Sequence, residues 1–244
     1  MKAASKKVAL ITGANKGIGF EVARQLGRNC CTVLVGARNP ALGREAAAKL
    51  HDQGADARFL DLDVTRRETV EAAAQFIEKD FGKLDILVNN AGAVDPGDGP
   101  PSVANLAAVE RVFQINFFGA LSVAQVMLPL VRKSPAGRIV NVSSGLGSLA
   151  FNSDPNYIKS SYNWIGYCAS KAAMNMLTVQ LAYELRNTPI KVNSSAPGYT
   201  ATDMNHNRGT QKVEQGAAET VGLSLLPADG PSGGFFSSAG PKPW

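Results

Sequence analysis

Little in this 244-residue chain can build a disulfide framework or a metal site, since it holds only three cysteines and two histidines. Cys30 and Cys31 are adjacent and Cys168 is left over, so a reducing compartment is the expectation. His51 and His206 join no ligand-spaced cluster, which argues against a metal. Long runs of one charge are also missing. The formal net charge is +5, yet no basic run exceeds Lys6-Lys7 or Arg66-Arg67, which argues against nucleic acid as a partner. Met1 to Lys7 is polar and has no apolar core, and no stretch approaches bilayer-spanning length. The reading is therefore cytoplasmic, with no membrane partner. No linker, repeat or low-complexity segment divides the chain. What remains is ordinary globular composition, 45% hydrophobic and 18% charged, enough to bury a sizeable core.

Short apolar runs alternate with helical patterns from end to end. Strands are expected at Val8 to Ile11, Thr32 to Val35, Ala57 to Leu62, Leu84 to Val88, Arg138 to Val142 and Ile190 to Ser194, with a short last one near Gly233 to Phe236. Helices are expected at Ile18 to Asn29, Pro40 to Gln53, Arg66 to Phe81 and Ile165 to Arg186, and a long pattern from Leu106 to Arg132 is broken by Gly119 and Pro129. The strands are continuous Val/Ile/Leu runs, as expected when helices cover both sheet faces. The alternation points to an α/β fold, a doubly wound parallel sheet, in a single domain over 1–244. The Pro/Gly-rich segments Asp95 to Pro101 and Pro227 to Trp244 read as surface loops. Gly145 to Trp164 is long for a connection, and such loops often border active sites.

Two clusters carry chemistry. The first strand runs into Thr12-Gly13-Ala14-Asn15-Lys16-Gly17-Ile18-Gly19 and then a helix. Glycines there let the backbone approach a pyrophosphate, and the free N–H groups at the helix start meet its charge. The spacing is G-x-x-x-G-x-G rather than G-x-G-x-x-G, so the weight falls on its place between strand and helix. NAD enzymes set a carboxylate at the end of the second strand. Here Gly36-Ala37-Arg38 has a guanidinium beside that place, and Lys16 adds a second cation, which favours a 2′-phosphate and hence NADP(H). The plainer alternative is that both cations are merely solvated.

The second cluster is Tyr167 and Lys171, four apart and so on one helical face, with Ser143-Ser144 upstream after an apolar strand. A free phenol has a pKa near 10, and a nearby ammonium is expected to lower it toward working range. Among the tyrosines weighed, Tyr157, Tyr162 and Tyr183 have no lysine at this spacing. A phenol, an ammonium, a hydroxyl and a phosphate-cradling turn together point to hydride exchange between a nicotinamide and a carbonyl.

The glycine turn, Asn89-Asn90-Ala91-Gly92, Asn116, Ser144, Tyr167/Lys171 and Pro197-Gly198 resemble, in order and spacing, the classical short-chain dehydrogenase/reductase family over nearly the whole chain. The resemblance implies a Rossmann-type sheet of about seven strands. It assigns Asp63 and Val64 to the adenine, and Asn90, with Ala91 and Gly92, to the cofactor path. Pro197, Gly198, Thr200 and Thr202 fall at the nicotinamide end, with Thr202 on its carboxamide. It makes Tyr167 the general acid/base and Ser144 the holder of the substrate oxygen. Lys171 then contacts the nicotinamide ribose, and Asn116 orders a water leading to Lys171. Asn116 lies in a helical pattern where packing does not require an amide. Each assignment has a plainer competitor: Asp63 as a cap before Thr65, Asn90 and Gly92 as turn chemistry, Pro197-Gly198 as a tight turn, Asn116 as a solvent-facing helical residue.

The stretch between Ser144 and Tyr167 is longer than in most classical members and holds Phe151, Tyr157, Tyr162 and Trp164. Monomeric carbonyl reductases of this family also carry an insertion there. The run Glu214-Gln215-Gly216-Ala217 to Leu226-Pro227, then Gly233 to Phe236, resembles that branch too. A monomer is favoured, with dimer or tetramer open. Phe151, Trp164, Leu149, Met204 and Val94 are candidates for an apolar substrate pocket. Asp203, Asn205, His206, Asn207, Arg208 and Gly209 are candidates for a lid. The expected activity is NADPH-dependent reduction of ketones or aldehydes to alcohols, reversible in principle. The alternatives are an oxoacyl thioester reductase, or an NADPH-binding sensor or scaffold without turnover.

Overall fold

The computed structural model describes residues 6–156 and 163–244. Tyr157 and Tyr162 of the longer stretch lie outside the described residues. Eight strands form one sheet: β1 (Val8–Thr12), β2 (Thr32–Ala37), β3 (Asp56–Asp61), β4 (Ile86–Asn89), β5 (Arg138–Val142), β6 (Lys191–Ser195), β7 (Phe235–Ser237) and β8 (Gly240–Pro241), in the spatial order β3-β2-β1-β4-β5-β6-β7-β8. The first seven pair in parallel, and β8 adds a two-residue antiparallel edge to β7. The order reverses between β1 and β4. Strand-to-helix loops leave in opposite directions there, and a crevice opens above the carboxyl ends of the strands.

Successive side chains on a strand point to opposite faces. Val8, Leu10 and Leu34 therefore enter one apolar layer with Val70, Ile77, Val123, Met127 and Leu181. Those partners lie on α3 (Arg67–Phe81), α5 (Ala120–Val131) and α7 (Ile165–Glu184). Ala9, Ile11, Val33 and Val35 enter the other layer, with Val22, Leu26, Leu50 and Val221. These sit on α1 (Gly17–Arg28), α2 (Pro40–Asp52) and α8 (Val213–Ser224). β1, β2, β4 and β5 are buried along their length, which is why they read as apolar runs without alternation, whereas β3 on the sheet edge is largely half-buried or exposed.

The structure departs from the sequence reading in four places. Gly119 and Pro129 do not break the long helical pattern. α4 (Leu106–Phe113) passes through a π-helical turn (Gln114–Gly119) directly into α5, which contains Pro129. Proline is tolerated because it lies near the helix end, where Arg132 N–H still reaches the Leu128 carbonyl at 2.9 Å. Gly119 answers to packing, since a Cβ there would come within 2.7 Å of Val64 Cγ2. Leu106–Val131, 26 residues with a hydropathy of 1.5, is long and apolar enough by composition to cross a bilayer, contrary to the expectation that no stretch is. Its apolar side instead supplies Val123, Met127 and Val131 to the core. The stretch after Ser144 contains a 3₁₀ turn (Gly145–Gly147) and α6 (Leu149–Ser153), and the run from Glu214 that the sequence marks only by family likeness forms α8.

Leu10 has no exposed surface and sits at the centre of the sheet. Leu10→Ala should cost about 2–5 kcal/mol in denaturant unfolding; a cost under about 1 kcal/mol would contradict this placement of the core.

Candidate active site

A cleft of about 760 Å³ lies along the carboxyl ends of the strands at the β1/β4 reversal. That volume suits a cofactor together with a small ligand. Its wall includes Gly13, Asn15, Lys16, Gly17, Ile18 and Gly19 at the first strand-helix turn, then Arg38 after β2, and Asp63 and Val64 after β3. Asn90, Ala91 and Gly92 follow β4, Ser144 follows β5, and Pro197, Gly198, Thr200 and Thr202 follow β6. Tyr167 and Lys171 face it from α7. Asn116 alone of the expected site residues stands behind the wall.

The turn after β1 is built to be approached closely. Gly13 and Gly17 have φ of 65° and 58°, the left-handed region that favours glycine. Asn90 Nδ2 donates to the carbonyls of Thr12 (2.8 Å) and Gly13 (3.2 Å), and the Thr12 hydroxyl accepts the N–H groups of Asn90 and Ala91, both at 3.0 Å. A Cβ on Gly19 would meet Asn90 Nδ2 and come within 2.6 Å of the Gly13 carbonyl oxygen. Any side chain there would push apart the Asn90–Gly13 brace that shapes the turn. A pyrophosphate therefore fits the backbone as it stands. Asn90 acts in this structure as the brace of that turn.

Two cations flank the cradle. Among the described residues the Arg38 guanidinium has no ion pair, whereas Lys16 Nζ meets Asp203 Oδ2 at 2.8 Å, with both side chains largely exposed. Asp63 Oδ1 accepts Thr65 N–H (3.0 Å) and its hydroxyl (2.7 Å), so the capping competitor describes its present contacts. Pro197 O accepts from Gln211 Nε2, which also donates to Thr200 Oγ1 at 2.9 Å. Gly198 has φ of 77°.

Asn116 corrects the reading that an amide is not needed here. It is fully buried in the π-helical turn and spends its amide on other elements. Its Oδ1 accepts Ala93 N–H at 2.8 Å, and its Nδ2 donates to Ala93 O and Ser170 Oγ, both at 3.0 Å. The Ser170 hydroxyl in turn donates to the Tyr167 carbonyl at 2.8 Å. A buried polar group needs such partners, so the solvent-facing alternative fails.

Lys171 is 3% exposed and its ammonium donates to the Val142 carbonyl at 2.8 Å, 5.8 Å from the centre of the Tyr167 ring. Burial pushes the ammonium down to about 8. Burial also pushes the Tyr167 phenol up to about 12, against the pull of a hydrogen bond with the Ser144 hydroxyl. The expected lowering of the phenol by its lysine neighbour is therefore not met in the free site. Desolvation dominates, and the ammonium is aimed at a backbone carbonyl. Of the expected apolar pocket, Val94, Trp164 and Met204 line the cleft. Leu149 does not, being 73% exposed. Phe151 does not either; it lies under Lys242, 5.7 Å from the ring centre. Leu146 and Tyr199 also line the cleft; Leu146 stands in no motif, and Tyr199 lies inside the Pro197 to Thr202 run but has no role of its own in the sequence reading.

The model of the short chain dehydrogenase family matches residues 7–213. The chain belongs to the short-chain dehydrogenase/reductase family. Within it, the chain is 33% identical to carbonyl reductase [NADPH] 1 of Mus musculus over 98% of its own length and 99% of the relative's. That alignment runs to 279 positions, so the mouse protein carries segments that this chain lacks. Salutaridine reductase from Papaver somniferum superposes with a TM-score of 0.83 at 32% identity, covering 96% of this chain and 100% of that one. An NADPH-bound carbonyl reductase from chicken fatty liver gives 0.84 at 26% identity, covering 99% and 100%. This family member thus shares its fold with reductases over their full lengths.

A lysine-labelled sample followed by NMR should show one ammonium titrating near pH 8 in the cofactor-free protein. Between about 8 and the ordinary value of 10.5, the unfolded chain keeps this proton and the folded chain has lost it. The fold therefore gains stability from Lys171 as pH rises through that window. Lys171→Met should remove both the resonance and that slope; every lysine titrating near 10.5 would contradict the burial.

Proposed function

We propose that this protein reduces ketones and aldehydes to alcohols with NADPH, Tyr167 giving the proton to the carbonyl oxygen. It is an NADP-dependent oxidoreductase acting on CH–OH and carbonyl groups, as its relatives are. The observation that carries the residue assignment is that Ser144, Tyr167 and Lys171 line one cleft, with Lys171 one helical turn from Tyr167 on α7. We take the whole span as one NADP(H)-binding unit, a reading supported by the single continuous sheet.

When bound, the reduced nicotinamide supplies the hydride. The chain's own residues do the rest. Gly13 to Gly19 and the start of α1 hold the pyrophosphate. Arg38 and Lys16 take the 2′-phosphate. Lys16 must first leave Asp203, but a solvent-exposed ion pair is held weakly, less firmly than a charge-assisted bond to phosphate. Ser144 donates to the carbonyl oxygen and Tyr167 follows with its proton. A phenol at about 12 still serves, because an alkoxide's conjugate acid is about as weak as water, near 15.7. Proton delivery is downhill, so reduction does not require the phenol to be acidified first. Lys171, charged below about pH 8, is placed to hold the nicotinamide ribose.

Tyr167→Phe should bind NADPH as tightly as the parent yet lose about 10²–10⁴-fold in turnover on a ketone panel; retained turnover would refute the assignment. Arg38→Asp should move the NADPH/NADH ratio of kcat/KM by about 10–100-fold toward NADH, the worth of one charge-assisted bond; an unchanged ratio would refute the role of Arg38.

A further inference from the structure

The helix that carries Tyr167 and Lys171 has no side-chain oxygen at its N-cap position. That place is taken by Trp164, whose indole can only donate. A helix start leaves its first N–H groups without intrahelical partners, and a Ser, Thr, Asp or Asn side chain usually accepts one of them. Here the acceptors come from a loop almost seventy positions upstream. Asp98 Oδ1 accepts Gly166 N–H at 2.9 Å, Asp98 Oδ2 accepts Tyr167 N–H at 2.8 Å, and Gly99 O accepts Ile165 N–H at 3.0 Å. The carboxylate also faces the positive end of the helix dipole.

The Asp98 loop is itself tied down. Asp95 Oδ1 accepts Gly97 N–H at 2.9 Å, its Oδ2 pairs with Arg111 of α4 at 2.8 Å, and Asp98 N–H reaches Asp95 O at 2.9 Å. Asn105 N–H bonds Gly97 O at 3.0 Å. The same loop begins just after Val94, in the cleft wall. Gly166 leaves room for the clasp, because a Cβ there would stand 3.0 Å from Asp98 Oδ2. We infer that Asp98 is a positioning residue for proton transfer: its carboxylate grips the backbone N–H of Tyr167 and fixes where the phenol stands relative to Ser144. Asp98 does not line the cleft and acts through the helix start. The effect should be large because small misplacements of a reacting group are costly in rate. Lys171 lies a turn deeper, held by Val142 O, so coenzyme binding should be spared.

The inference rests on Tyr167 being the proton donor. The test compares Asp98→Ala, Asp98→Asn, Gly166→Ala and Tyr167→Phe for kcat on a ketone, NADPH dissociation constant and melting temperature. Asp98→Ala should lower kcat about 10–100-fold with the NADPH dissociation constant within about twofold of the parent. Asp98→Asn, which keeps one acceptor oxygen, should restore much of that loss. Gly166→Ala, which only crowds the carboxylate, should fold normally and lose about 3–10-fold in kcat, so it decides the matter if Asp98→Ala does not fold. Unchanged kcat in folded Asp98→Ala or in Gly166→Ala would overturn the inference, as would a parallel loss of kcat and NADPH binding, which marks general damage. If Tyr167→Phe stays active, the proton-donor reading has failed; if it is inactive while the Asp98 variants are fully active, only this inference has.

Discussion

The ammonium of Lys171 is buried with no carboxylate beside it among the described residues, and its donated bond to the Val142 carbonyl is the contact from which the rest of the site takes its form. An isolated charge in an apolar surrounding is expensive, and the cost shows as a proton held more weakly than in water. The fold tolerates this because α7 is pinned by neutral contacts on several sides. Ser143 donates to the Lys171 carbonyl, Asn116 reaches Ser170, and Ser170 reaches the Tyr167 carbonyl. Two apolar layers on either side of the sheet provide the stability against which one uncompensated cation is set.

That arrangement explains why the site sits where it does. Parallel strands send their carboxyl ends to one edge, and the reversal between β1 and β4 leaves a gap there. Thr12, Asn90 and the glycines close one half of the gap into a tight backbone cradle, the place proposed for the phosphates. The ends of β5 and β6, with α7 alongside, supply hydroxyls and an ammonium to the other half. The π-helical turn lets α4 and α5 run as one helix while turning the Asn116 amide inward. Such turns often occur where function needs a side chain re-aimed.

Much of this was legible in the sequence. The apolar runs marked the strands to within one or two residues, because strands buried on both faces leave an unbroken signal. The glycine turn and the Tyr167/Lys171 pair are local patterns, and local patterns survive without a structure. What failed needed distance or burial. The phenol was expected to be acidified by its neighbour. Sequence spacing places Lys171 on the right face, but it says nothing of the Val142 carbonyl that claims the ammonium, or of the desolvation that outweighs it. Pro129 looked like a break because a helix end two residues later is invisible in a periodic pattern. Leu149 and Phe151 were grouped with the cleft on hydrophobicity, whereas the chain after Gly147 turns outward toward the C-terminal tail, where Ala150 N–H meets the Trp244 carbonyl. Asp98 gave no signal, since a lone aspartate in a Pro/Gly-rich loop looks like any turn residue until the helix it caps is in place.

The central claim is that two hydroxyls on separate elements, Ser144 after β5 and Tyr167 on α7, converge on one substrate oxygen. The most direct measurement is a crystal structure with NADP(H) and a non-reducible carbonyl analogue. The account predicts the Ser144 and Tyr167 hydroxyl oxygens both within about 3 Å of the analogue's carbonyl oxygen. An analogue oxygen held by other groups, with the Tyr167 hydroxyl turned away from it, would contradict the account.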